Sequence, residues 1–187
     1  MESEIRHCLK VLKAGGTLLY PTDTIWGIGC DATNFHAVEK VYRLKKRMES
    51  KSLIILLDDV AKLTDYVVDV PDIAWDLLKS VDSPLTIIYA QSKNLASNVV
   101  AKDQSIAIRI VKNEFCRLLI ESFGKPIVST SANISGERPP LGYKNIDEEI
   151  IKGVDYAVDP SIGVLQQIKP SRIIRLGNNG EFQIIRK

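Results

Sequence analysis

Segments with a helical period and segments with a strand period alternate along this sequence from end to end, with no linker, internal repeat or low-complexity tract between them. That alternation restricts the chain to an α/β or α+β single domain, residues 1–187, in which helices pack on a sheet. Ile5, Cys8, Leu9 and Leu12 share one helical face, and Gly15-Gly16 stop that helix. TLLY (17–20) reads as a strand, PTDT (21–24) as a polar turn, and WGIGCDAT (26–33) as an irregular glycine-containing stretch. Asn34 caps a helix through about Arg47, with Val38, Val41 and Leu44 inward. LIILL (53–57) reads as a strand covered on both faces. Helices are expected near 59–67 and 71–80, the second opened by Pro71. Strands follow at 84–90 and 105–111. In the latter, Ile106, Ile108 and Ile110 lie on one face and Ala107, Arg109 and Val111 on the other. Asn113 caps a helix that Gly124 ends, PIVST (126–130) runs as a strand into the turn SANISG, and 137–145 is a loop. Strands at 156–159, 172–176 and 182–186 close the series. GNNG joins the last two as a hairpin, so the sheet is mixed and not purely parallel.

Composition narrows the functional classes. A chain of 187 residues, 45% hydrophobic and 26% charged, is of a size that buries about 70% of its unfolded surface without a covalent staple. No apolar run reaches the ~18 residues of a membrane span, and charges interrupt the first stretch, so neither a transmembrane segment nor a secretory signal is read. Three cysteines, Cys8, Cys30 and Cys116, are widely spaced and odd in number, which reads as reduced thiols of a cytoplasmic protein. The two histidines, His7 and His36, are too few for a zinc site or a histidine-based triad. The net charge of +2 gives no electrostatic mandate for nucleic acid, although a local basic patch stays open.

Four polar clusters fall at strand ends or in the loops after them, where open sheets bind ligands. The first is Pro21-Thr22-Asp23-Thr24, which taken alone is an ordinary Asx or Ser/Thr turn. The second is Lys45-Lys46-Arg47 with Lys51 beyond. It suits a helix C-terminus, and equally an anion cradle. The third is Arg109, set in an apolar strand, where it must face water or a paired anion. The fourth is Ser129-Thr130-Ser131-Ala132-Asn133 with Ser135-Gly136, a polar turn able to present backbone N–H groups to anions. GxxxxGK[ST] and GxGxxG are absent, which argues against a P-loop or a Rossmann cofactor site. HExxH and GxSxG are absent too.

Taken together, PTDTIWGIGCDA (21–32), KKRMESKSLIIL (45–56), SPLT (83–86), SIAIRI (105–110), STSANISG (129–136) and PSRIIR (170–175) resemble the YrdC/TsaC family of L-threonylcarbamoyladenylate synthases, over about residues 5–187. The resemblance implies a YrdC/RibB-like fold, a twisted mixed sheet with flanking helices around a basic concave cavity. It implies synthesis of threonylcarbamoyl-AMP and pyrophosphate from L-threonine, bicarbonate and ATP. The product supplies t6A at position 37 of tRNA through a downstream threonylcarbamoyl-transferase complex. Mg2+ accompanies ATP, binding of tRNA or double-stranded RNA is open, and the setting is cytoplasmic with no membrane.

Residue by residue, the resemblance assigns catalysis to Lys45 and Arg47. It gives L-threonine to Thr24, Arg109, Ser129 and Ser171, and ATP to Arg47, Lys51, Ser105, Ser131, Asn133 and Arg186. Departures stand at Trp26 for a usual Tyr or Phe, at Ser52, at Leu56 where some relatives have His, at Asp82-Ser83-Pro84, and at Arg172, an added cation expected near the site. Two other readings remain: a YciO-like paralogue with another substrate, and a non-catalytic RNA-binding module.

Overall fold

The structure, a computed structural model, describes residues 1–47, 53–162, 170–177 and 181–187. Helix α1 (Glu2–Lys13) buries Ile5, Cys8 and Leu12. It ends in a two-bond closure: Gly15 N–H donates to Leu12 O at 3.0 Å and Gly16 N–H to Val11 O at 2.8 Å. Gly15 takes the left-handed φ of 71° that this closure demands. Helix α2 (Phe35–Leu44) opens on Asn34, whose side chain accepts from Ala37 N–H. It ends in the same closure, with Lys46 N–H donating to Arg43 O and Arg47 N–H to Tyr42 O, both at 3.0 Å. There the left-handed residue is Lys46, φ 50°, at a cost of roughly 1–2 kcal/mol that glycine would not incur. The helix therefore stops at Leu44, three residues short of the sequence expectation.

Helices α3 (Leu63–Tyr66), α4 (Asp72–Ser80) and α5 (Glu114–Phe123) follow. The expected helix at 59–67 is a 3-10 turn, Val60–Lys62, running into the single turn of α3. Helix α5 has both expected caps, Asn113 accepting from Cys116 N–H and Gly124 at φ 74°. Helix α6 (Glu148–Gly153), capped by Asp147, was not expected. Helices α1 and α5 pack on each other, α1 against strand β1 (Leu18–Tyr20) and α5 against strand β3 (Ile54–Leu57).

The other strands are β2 (Gly27–Gly29), β4 (Leu85–Tyr89), β5 (Ile106–Ile110), β6 (Ile127–Ser131), β7 (Tyr156–Ala157), β8 (Arg172–Leu176) and β9 (Phe182–Arg186). Among the described residues they form one mixed sheet of nine strands, in the order β7-β1-β2-β6-β3-β5-β4-β8-β9. Pairs β1–β7, β3–β5 and β4–β8 are parallel and the rest antiparallel. Strand β2 corrects the irregular reading of 26–33. Gly29 is required in it, because a Cβ there would lie 2.4 Å from Val128 O and 2.6 Å from the Tyr20 ring. The two terminal strands pair as expected, although turn residues 178–180 lie outside the described residues. A register shift sets Ile173 against Arg186 and Ile174 against Ile184, leaving Ile185 as an extra, bulged residue. The buried core is continuous from Ile5 to Leu176 and includes all three cysteines as free, buried thiols.

Candidate active site

Two adjacent rows on one sheet face supply the floor of a hollow of about 290 Å³, all their members but the buried Thr86 lining it. Ser129, Ile54, Ala107 and Ile88 stand in register across β6, β3, β5 and β4. Two residues along, Arg109, Thr86, Ile173 and Arg186 stand in register across β5, β4, β8 and β9. The strand alternation read from the sequence holds: Ala107 and Arg109 face the hollow, while Ile106 and Ile108 are buried in the core. The bulge in β9 turns both Ile185 and Arg186 to the hollow. The rim is Thr24 to Gly27, Arg47, Thr130, Ser131, Pro139, Pro170 and Ser171.

Arginines 47, 109 and 186 thus converge, and no carboxylate is among the described residues lining the hollow. Burial lowers the pKa of Arg47, and burial together with the Arg109 charge lowers that of Arg186. Like charges gathered in one site disfavour each other's charged form, and a nearby anion offsets that. One anion sits beside Arg109: Asp23 Oδ1 is 3.1 Å from Arg109 Nη2, both side chains being less than 5% exposed. The contact is not aligned as a hydrogen bond, so both Asp23 oxygens and Arg109 Nε and Nη2 lack a hydrogen-bond partner. Unsatisfied buried donors cost roughly 1–3 kcal/mol each. Those of Arg109 are closed to solvent and Nη2 is turned to Asp23, while Arg109 itself lines the hollow.

The hydroxyls are directed. Thr22 Oγ1 donates to Ile25 O at 2.8 Å. Its contact with Thr24 Oγ1, 3.0 Å, is therefore donated by Thr24. The Thr24 oxygen is left to accept from whatever occupies the hollow. Arg186 Nε donates to Ser171 O at 2.9 Å and Nη2 to Ser171 Oγ at 3.3 Å. Ser171 Oγ also shares a hydrogen with the buried Thr86 hydroxyl at 2.7 Å.

The structure brings together Thr24, Arg47, Arg109, Ser129, Ser131, Ser171 and Arg186, as the sequence expects. Others stand elsewhere. Lys45 is 1% exposed and does not line the hollow; its ammonium donates to Ser131 O, to Asn133 O at 2.6 Å and to Asn133 Oδ1 at 3.4 Å. Burial, and then the Arg47 charge, pull its pKa down to about 8. Asn133 does not line the hollow either, and its Nδ2 donates to Ile134 O and Glu137 O. Ser105 is buried with its hydroxyl donating to Asp103 Oδ1 at 2.6 Å. Arg175 also contacts Asp103, whose pKa is held down at about 2. Lys51 and Ser52 lie outside the described residues. Of the departures, Arg172 turns to the Ser83 hydroxyl and is absent from the hollow lining, which corrects its expected place. Leu56 is fully buried, and Trp26 lines the hollow with Tyr143 edge-on at 4.9 Å.

Sequence reasoning did not single out Asp23 as the partner of Arg109, nor Thr86 beneath Ser171. Asp23 was visible inside PTDT. Thr86 could have been found from its place two residues before Ile88 on the same strand face.

Residues 10–187 match the Sua5/yciO/yrdC family, described as Telomere recombination. The chain is 33% identical over 165 residues to a threonylcarbamoyl-AMP synthase of Pseudoalteromonas translucida, covering 87% of this chain and 88% of that protein. A threonylcarbamoyl-AMP synthase of Stenotrophomonas maltophilia is 33% identical over 180 residues, covering 95% and 97%. P. abyssi Sua5 complexed with L-threonine superposes with a TM-score of 0.82 at 27% identity, covering 94% of this chain and 52% of that one, so the chain spans about half of that Sua5. E. coli YciO shares the fold, with a TM-score of 0.86 at 24% identity over 100% of this chain and 90% of that one. A family match over nearly the whole length, close relatives of equal span and a shared sheet agree: the chain belongs to the Sua5/yciO/yrdC family.

Proposed function

We propose that the chain is an L-threonylcarbamoyladenylate synthase, a nucleotidyltransferase that joins L-threonine, bicarbonate and ATP into threonylcarbamoyl-AMP and pyrophosphate. One observation carries the reading. Three arginines and the hydroxyl-bearing Thr24, Ser129, Ser131 and Ser171 share one hollow, as a site for an amino acid beside a triphosphate needs. The relatives named for this activity have the same span as the chain.

The amine of threonine condenses with bicarbonate, with loss of water, to give a carbamate. A carbamate oxygen then bonds to the α-phosphorus of ATP as the bond to the β-phosphate bridging oxygen breaks, and pyrophosphate leaves with that electron pair. Such transfers depend on positioning and charge neutralisation, so no covalent nucleophile is required. Arg109, the lining cation braced by Asp23, receives the threonine carboxylate, while Thr24 accepts from the amino acid's own donors. Arg47 and Arg186 neutralise phosphate charge, and Ser129 and Ser131 donate at the junction between amino acid and phosphate. Ser171 holds Arg186 in place. Mg2+ belongs to the substrate as MgATP, since the described lining residues include no carboxylate and leave the ion to phosphate oxygens and water.

The product serves t6A37 formation on tRNA in the cytoplasm, through a threonylcarbamoyl transferase. The test is to incubate the purified protein with MgATP, bicarbonate and each amino acid in turn, without RNA. Threonine-dependent pyrophosphate release and a carbamoyl-adenylate of the matching mass are expected. Salt-dependent tRNA binding with no release would support an RNA-binding module instead, and release with a different carboxylate a YciO-like paralogue.

A further inference from the structure

Lys45 does not line the hollow, whereas Arg47, two residues on and past the closure that ends α2, does. The Lys45 ammonium spends its donors on Ser131 O, Asn133 O and Asn133 Oδ1. The Lys45 carbonyl is tied to the same turn, accepting from Ser135 N–H at 2.8 Å. Asn133 extends the brace, its Nδ2 donating to Ile134 O at 3.0 Å and to Glu137 O at 2.7 Å. One helix terminus thus grips the turn after β6 at four points.

The grip has an electrostatic sense. Carbonyl oxygens aimed at a bound phosphate would repel it. The carbonyls of Ser131 and Asn133 are engaged by the ammonium of Lys45, a residue outside the lining, while Ser131 itself stays in the lining. We infer that Lys45 is a positioning residue that acts through the Ser131–Asn133 turn, not a group that touches substrate. The inference rests on the reading of the hollow as the threonine and ATP site.

The test uses Lys45→Met, Asn133→Ala and the double variant in the full chain. Amide hydrogen exchange over 131–137 is measured without ligand, and the threonine and ATP kinetics are measured beside it. The Lys45→Met variant is expected to speed exchange at Ser135 and its neighbours at least tenfold in the ligand-free protein. It is also expected to raise the KM for both substrates more than it lowers kcat. The double variant is expected to be no worse than Lys45→Met within about twofold, because both changes release the same turn. Unchanged exchange with lost activity, or losses that multiply in the double variant, would overturn the inference.

Should Lys45→Met fail to fold, the wild-type protein decides. The ammonium nitrogen resonance of Lys45 is expected to stay in place on saturation with ATP. A large shift on ATP binding would show direct contact. If wild-type protein released no pyrophosphate with threonine, the reaction assignment would fail, while exchange and resonance would still decide what Lys45 does.

Discussion

Asp23 Oδ1 lies 3.1 Å from Arg109 Nη2, and the two side chains are 3% and 4% exposed. One charge faces the hollow and the other stands behind it, outside the lining. The pair therefore keeps a buried cation tolerable before any ligand arrives.

Removing one partner strands the other. Asp23→Ala is expected to cost about 3–5 kcal/mol in urea unfolding, the typical loss when a buried pair is broken. Asp23→Leu combined with Arg109→Met is expected to recover most of that stability, with no return of pyrophosphate release. A single variant as stable as wild type would refute the structural weight given to the pair.

Arg47 is expected to act on the reaction itself. Arg47→Ala should lower threonine-dependent kcat by about 10²–10³, the range for losing one donor aimed at developing charge. Steady-state pyrophosphate release measures it, and a wild-type rate would remove Arg47 from the machinery.

Lys46 occupies a glycine position, with φ 50°. Lys46→Gly is expected to raise stability by about 0.5–1 kcal/mol through relief of left-handed strain. Its exposed ion pair with Glu149, 2.9 Å, offsets little of that gain, and Glu149→Gln isolates the offset. Gly15→Ala, at the matching place after α1 with φ 71°, is expected to lose about 1 kcal/mol. Denaturant midpoints at unchanged m-value check both.

Lys45 links pH to stability with an unusual sign. Its folded pKa, about 8, is below the ~10.4 of an unfolded lysine, so between these values the unfolded chain holds more protons. The contribution of Lys45 to stability therefore rises with pH across that window, by up to about 3 kcal/mol, and is least below pH 8. Its grip on the turn follows the opposite course, since the neutral amine keeps two donors in place of three. Wild-type stability relative to Lys45→Met is expected to climb from pH 8 to pH 10 while the threonine KM of wild type worsens. A flat stability difference would contradict the assignment.

Local signals that depend on one residue were legible in the sequence. Asn34, Asn113 and Gly124 cap helices where their chemistry says they should, and strict alternation placed Arg109 on the face opposite Ile108. The end of α2 was not legible, because lysine carries no sign of a left-handed turn and the closure is stabilised by tertiary contacts from the Ser131–Asn133 segment. Strand β2 was missed for a related reason. Three residues, two of them glycine, have little strand propensity of their own, and Tyr20 packing over Gly29 explains what the glycine is for. Most of the candidate site residues were legible as four clusters, whereas Ser105, Ser171 and Arg186 came only through the family resemblance. Their division into those that face the hollow and those that brace it depends on side-chain partners far apart in sequence, as with Lys45 and Asn133 or Thr86 and Ser171.

The chain of hydroxyls from Thr24 to Thr22 to Ile25 gives the hollow a polarity. A guest at Thr24 must bring its own hydrogen, whereas a guest at Arg109 must bring lone pairs. At the proposed threonine site this would sort a zwitterion head from tail before any bond is made, since an amino acid seated backwards would find an acceptor facing its carboxylate and a guanidinium facing its ammonium.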